Sequence, residues 1–229
     1  MRFLISPAKT LKLSKNSTWD DQKPHFYDTS LIIRKNIQKL TKNQMSKRVK
    51  IKSKLLEKTY YVYHNSAEEG HALMSYNGLV YKNLDVWSLP KASLSYLKHH
   101  VLILDAMYGI LRPNDVIEYY RLDFNVNIGK DLYKDWNILP FLKDEIIISL
   151  ASKEYEKMID GLPFITIDFK EEIGNSYINK ATYAKMARGK FLRICAKNEV
   201  GTLVQLKEVT FDGYQFNKEL SNDRHYIYT

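Results

Sequence analysis

The stretch LILDAMYGILRPNDVIEYYRL, residues 102–122, decides what kind of fold this chain can adopt. Val101–Leu104 is an unbroken apolar run that leads through Met107 into Gly109 and Pro113. Such a run is either a buried strand or a buried helical turn, and periodicity alone does not separate the two. A single glycine in a tight hairpin between helices can turn backbone amides outward toward a phosphate, and an ordinary turn is the alternative. Working outward, Phe3–Ile5 reads as a buried strand cut off by Ser6-Pro7, and Ile146–Leu150 as a strand entering a helix through Ser152. Phe164–Phe169 alternates as a strand with Ser176–Ile178 as a possible hairpin partner, and Val209–Phe216 and Tyr226–Tyr228 read as late strands. Apolar residues at 32, 33, 37, 40, 45, 49, 51 and 55 give a broken helical period, predicting two helices split near Thr41–Asn43. Ala67–Leu73 and the segment ending at Leu94–Leu97 read as helical, and Ala181–Asn198 is the clearest helix. The pattern is a mixed α and β fold in one domain, with no repeat and no linker.

The chain has 229 residues, enough for a sizeable core, and 45% of them are hydrophobic. The apolar runs fall far short of the roughly 18–20 residues of a membrane helix, so no membrane partner is expected. The amino terminus is too short and polar for a signal peptide, and a single cysteine, Cys195, fits a reducing compartment. The expected location is cytoplasmic, and the expected state is a monomer.

Charge placement says more than the net +9. Residues 1–60 hold fifteen Lys/Arg against four Asp/Glu, a balance of +11. Lys39 to Lys58 carries eight basic residues and one acid, Glu57. Such asymmetry suits a polyanionic partner, or else a merely solvated lysine-rich surface.

The helix NKATYAKMARGKFLRICAKN (179–198) has no acid. Ala184, Ala187, Phe191, Ile194 and Cys195 form its inner stripe, and Lys185, Arg188, Lys190, Arg193 and Lys197 fall off it. Those cations pair with acids elsewhere or face an anion. Gly189 costs about 1 kcal/mol there relative to alanine, which suits close approach of a backbone or a phosphate. ISPAKT (5–10) offers Lys9 as a phosphate contact and Ser6 or Thr10 as hydroxyl donors, without the glycines of a Walker loop. Arg112 and Arg121 follow Gly109, Lys130 stands beside Asp131, and Ser152 and Glu154 sit where a strand meets a helix. The six histidines show no metal-ligand spacing, so zinc is rejected and no cofactor is expected. Cys195 reads as a small buried hydrophobe.

Together ISPAKT, YNGLVYKNL (76–84), DAMYGILRPND…YRL (105–122), GKDLYKDW (129–136), LASKEY (150–155) and TYAKMARG (182–189) resemble the YaaA family of peroxide-stress proteins across nearly the whole chain. The resemblance implies one mixed α/β domain with a central mixed sheet, surrounding helices and a helix-hairpin-helix-like element. It implies a positively charged cleft contacting double-stranded DNA with little sequence preference, and an indirect limit on iron-driven damage. On this resemblance the hairpin is the segment around Tyr108, Gly109 and Ile110 with Arg112 just beyond. The resemblance implies that Lys9, Lys130, Lys185 and Arg188, which sit in matching motifs, line the cleft, and Thr10, Arg121 and Lys190 are further expected phosphate contacts.

A second reading stays open: an enzyme of unassigned reaction whose site, including Ser6, Asp131, Ser152 and Glu154, takes a phosphorylated or nucleotide-like small ligand. A deep pocket joining these loops favours that reading, and a broad shallow groove favours DNA. Direct iron sequestration is the weakest reading, because no Cys, His and carboxylate cluster has ligand spacing.

Overall fold

The computed structural model describes residues 1–65, 68–128, 131–174 and 176–229. Strand β1 (Arg2–Ile5) is followed by helices α1 (Tyr27–Gln38), α2 (Lys42–Val49) and α3 (Ser53–His64). Next come β2 (Glu69–His71), α4 (Ala72–Ser75), α5 (Leu79–Leu84) and α6 (Lys91–His100). β3 (Val101–Asp105), β4 (Gly109–Leu111), β5 (Val116–Glu118) and the short α7 (Leu132–Asp135) and α8 (Leu139–Leu142) lead to β6 (Ile147–Ser149). α9 (Lys153–Glu156), β7 (Ile165–Phe169), β8 (Glu171–Ile173) and β9 (Ser176–Ile178) precede the long α10 (Ala181–Lys197). α11 (Leu203–Glu208) and β10 (His225–Tyr228) complete the chain.

The central sheet has the order β10-β7-β6-β1-β3-β4. Its first five strands are parallel, and β4 runs antiparallel to β3. Phe3, Leu4 and Ile5 are fully buried because β1 lies in the sheet interior, covered on both faces as parallel strands require. The outer edge of β10 is occupied by its own chain: Asn217 N–H donates to Ile227 O at 2.8 Å, and Gln215 and Thr229 exchange backbone hydrogen bonds at 3.0 and 3.1 Å.

Residues 101–111 correct the helix-hairpin-helix expectation. They form a β-hairpin, with Leu104 opposite Ile110 and Asp105 opposite Gly109. The Asp105 side chain makes the turn by accepting the amides of Met107 (2.7 Å) and Tyr108 (2.9 Å). Gly109 takes φ +73°, and a Cβ there would lie 2.8 Å from the Trp136 ring, so the glycine serves packing inside the fold.

The split near Thr41 is present. Thr41 caps α2 with a reciprocal capping box to Gln44. Lys50 then turns left-handed (φ 56°) and opens a third helix, α3, where two were expected. The helical reading of Ala67–Leu73 is overturned: Glu69–His71 pairs with β5, and helix begins only at Ala72 (Ala67 lies outside the described residues). Ser176–Ile178 pairs with β8, not with Phe164–Phe169. Val209–Phe216 is no strand, because Phe211 and Tyr214 close a tight turn on each other. Among the described residues no helix is long and apolar enough to cross a membrane.

α10 packs as its stripe predicts, with Ala184, Ala187, Phe191 and Cys195 buried. Burial pushes the Cys195 thiol well above its ordinary range, so it stays protonated. Gly189 sits where α5 crosses α10, and a Cβ there would meet Val80 O at 2.1 Å and Leu84 N at 2.9 Å. The close neighbour is therefore a backbone. Arg193 reinforces this crossing by donating to Leu84 O (2.9 Å) and Asp85 O (2.8 Å) at the end of α5.

Candidate functional site

β1 and β6 are adjacent and parallel, so their carboxyl ends open side by side, where α/β sheets place ligands. A pocket of about 500 Å³ lies there. Ser6, Lys9 and Thr10 enter it from the loop after β1, Ser152 and Glu154 from the loop after β6, and Lys185 and Arg188 from α10. Arg121 and Asp123 come from the stretch after β5, and α5 supplies Leu79, Val80 and Tyr81. Gly78, just before α5, lets that helix approach: a Cβ there would lie 2.8 Å from the Ala8 Cβ.

The two strand ends are tied together. Ser152 N–H donates to Ser6 Oγ at 2.9 Å, and Tyr81 Oη–H donates to Ser6 O at 2.9 Å. Lys9 Nζ pairs with Asp123 Oδ2 at 2.9 Å, and Arg121 Nη1 donates to Lys9 O at 3.0 Å. Lys185 is exposed and makes no ion pair among the described residues. Arg188 is sunken, with 14% of its side chain exposed, and its nearest carboxylate is Asp168 at 3.7 Å. Its Nε is buried and has no hydrogen-bond partner among the described residues. Burial lowers the Arg188 pKa, and Asp168 and Glu156 behind it act in the opposite direction, so the guanidinium stays charged. The lining thus carries Lys9, Arg121, Lys185 and Arg188 against Asp123 and Glu154, an excess of positive charge in a concave wall.

Behind the pocket lies a buried hydrogen-bond cluster. Asp105 Oδ2 accepts from Tyr76 Oη at 2.8 Å and also from Tyr120 Oη, and the two hydroxyls are 2.8 Å apart. Burial raises the Asp105 carboxyl above its ordinary value, and the four donors around it pull it back. The Tyr120 and Tyr81 rings line the pocket, so this cluster sets the position of its wall.

Eight predicted residues therefore converge: Ser6, Lys9, Thr10, Arg121, Ser152, Glu154, Lys185 and Arg188. Tyr108 and Gly109 do not; both are buried in the β-hairpin. Arg112 is turned away, engaged by Asp115 at 2.8 Å and by Lys23 O at 2.8 Å. Lys190 pairs with Asp212 off the pocket. Asp131 caps α7 by accepting the Tyr133 amide at 3.2 Å and is not among the lining residues. Lys130 lies outside the described residues. Sequence reasoning missed Asp105, Asp123 and Asp168, three carboxylates in three separate segments with no motif joining them. Gly78 reads in the sequence only as part of a turn, and nothing local marks its close approach to the Ala8 side chain. Among the described residues no group of three or more His, Cys, Asp or Glu is placed to hold a metal ion.

A mixed α/β protein with a cationic pocket at the carboxyl edge of its parallel strands is the class that fold and site define. A family model described as peroxide stress protein YaaA matches residues 1–220, and the chain belongs to that family. It is 35% identical over 246 residues to a UPF0246 protein of Fusobacterium nucleatum, covering all of this chain and 98% of that one. A UPF0246 protein of Finegoldia magna is 35% identical over 246 residues (100% and 97% covered), and one of Clostridium beijerinckii is 33% identical over 253 residues (100% and 97%).

Proposed function

We propose that this peroxide-stress protein holds a small phosphorylated or nucleotide-like ligand in the pocket between β1, β6 and α10. The observation that carries the reading is the meeting of Ser6, Ser152, Lys185 and Arg188 around one concavity of about 500 Å³, the size of a small-molecule site. Arg188 presents a sunken guanidinium at the pocket wall, a charge-assisted donor group suited to a phosphate, and Lys185 adds a second charge with no ion pair among the described residues. Asp123 and Glu154 accept hydrogen bonds, so a ligand with hydroxyls fits better than bare polyphosphate. Calorimetric titration with adenosine monophosphate and with inorganic phosphate tests this. Arg188→Gln is expected to weaken mononucleotide binding by roughly 100-fold and Lys185→Gln by roughly tenfold, as loss of charge-assisted hydrogen bonds predicts. The absence of heat with either probe in the millimolar range overturns the reading.

A second reading, duplex DNA bound through its phosphates, is favoured by a different surface. Lys42, Lys47, Lys50, Lys52, Lys54 and Lys58 are exposed on and around α2 and α3, and the one acid among them, Glu57, pairs with Lys42. α3 also abuts the pocket rim, since Tyr63 Oη–H donates to Arg121 O at 3.3 Å. Anisotropy of a labelled duplex should then fall steeply between about 50 and about 200 mM salt, with scrambled sequences binding equally. Loss of that binding in a Lys47→Gln, Lys50→Gln, Lys54→Gln triple variant is the expected result, and no binding at the lower salt removes the reading.

A further inference from the structure

On the far side of α9 from the pocket lies a second cavity of about 370 Å³. α9 is the partition: Glu154 and Tyr155 face the first space, Lys153 and Glu156 the second. The acids of this cavity are already engaged. Glu156 Oε1 accepts from Ser149 Oγ (2.6 Å) and Thr166 Oγ1 (3.2 Å). Asp168 holds His225 Nε2 at 2.8 Å through one oxygen and faces Arg188 at 3.7 Å with the other. Its cations are not engaged in this way. Lys153 and Arg224 are exposed and make no ion pair among the described residues. His225 spends Nε2 on Asp168, which fixes the ring and leaves Nδ1 as its remaining polar atom. Leu162 and Phe164 supply an apolar wall.

We propose that this cavity is a second ligand site, for a small anion bearing an apolar group. Lys153 and Arg224 take the anionic head beside His225, and Leu162 and Phe164 cover the apolar part. Each carboxylate already accepts hydrogen bonds or faces a cation of the protein, while Lys153 and Arg224 make no ion pair among the described residues and are left to meet a ligand. A phosphate monoester and a carboxylate share the required chemistry. The proposal does not rest on what the first pocket binds.

The test follows the His225 imidazole by NMR in the labelled full-length protein during titration with phenyl phosphate, benzoate and inorganic sulfate. Saturable movement of the His225 signal is expected with phenyl phosphate or benzoate, whichever binds tighter naming the preferred head group. Sulfate, lacking the apolar part, is expected to bind roughly tenfold more weakly. Replacing both surface cations, Lys153→Gln with Arg224→Gln, should weaken the organic anion by roughly tenfold or more, and both positions are exposed, so the fold tolerates the change. Lys185→Gln should leave the His225 titration as it was. An unmoved His225 signal up to about 10 mM of either organic anion overturns the proposal. So does unchanged affinity in the double variant, or loss of the His225 response in Lys185→Gln alone, which would put the probe in the first pocket.

Discussion

Asp105→Ala is expected to lower the free energy of unfolding by on the order of 4 kcal/mol, read from the denaturant midpoint. The substitution strands the amides of Met107 and Tyr108 and removes the acceptor shared by Tyr76 and Tyr120, all in a dry interior. Each unsatisfied buried donor costs roughly 1–3 kcal/mol, and the tyrosine hydroxyls recover part of the loss through each other. Asp105→Asn keeps one carbonyl oxygen for the two amides, so its expected cost is smaller, about 1–2 kcal/mol. The pair of variants carries the check: equal and small effects would mean that the carboxylate does not hold the hairpin. The charge has a further signature. Burial raises the Asp105 pKa above the ordinary 3.8, so the folded protein holds a proton at pH values where the unfolded chain has already released it. Its contribution to stability therefore declines as pH rises through that window, and Asp105→Asn should remove the slope.

Gly189→Ala sets two effects of opposite sign against each other. Helix propensity alone favours alanine by about 1 kcal/mol at a mid-helix position. Against this stands a Cβ placed 2.1 Å from Val80 O and 2.9 Å from Leu84 N, both backbone atoms of α5 that cannot rotate away. Overpacking of this kind typically costs 1–3 kcal/mol and more where rigid elements meet, so a net loss of about 2 kcal/mol or more is expected in thermal melts. The same displacement moves Leu79, Val80 and Tyr81, three lining residues, so ligand affinity should fall with stability. Gly201→Ala is the control, since its nearest neighbours stand 3.9 Å away, and it should stay within about 0.5 kcal/mol of the parent. A Gly189→Ala protein that melts at or above the parent temperature would show that α5 yields.

What the sequence disclosed follows the range of the interactions. The apolar runs at Phe3–Ile5 and Val101–Leu104 stand out because interior parallel strands are buried on both faces, Phe164–Phe169 stands out by its alternation, and all three mark strands of the sheet. α10 was readable because one stripe of it packs. The hairpin at Asp105–Gly109 was not, since a short apolar run followed by glycine suits a helix end as well as a strand turn, and the deciding bonds come from one carboxylate. Eight of the predicted site residues lie on one pocket because each sits in a loop at a strand end or on the polar side of α10. Arg112 and Lys190 lie off the pocket: Arg112 pairs with Asp115 three residues further on, and Lys190 with Asp212, an acid that the fold brings in from a separate segment. Charge counted along a chain overstates the charge left to bind with.

The covered margin of β10 has a consequence for behaviour in concentrated solution. Cross-β growth needs a row of vacant amides and carbonyls on a terminal strand, and residues 215–217 already fill that row from within the molecule. At the opposite margin, β4 is only three residues long and Pro113 follows it closely, so little template is offered there. Fibrillar stacking through the β10 margin therefore requires residues 215–217 to peel off first.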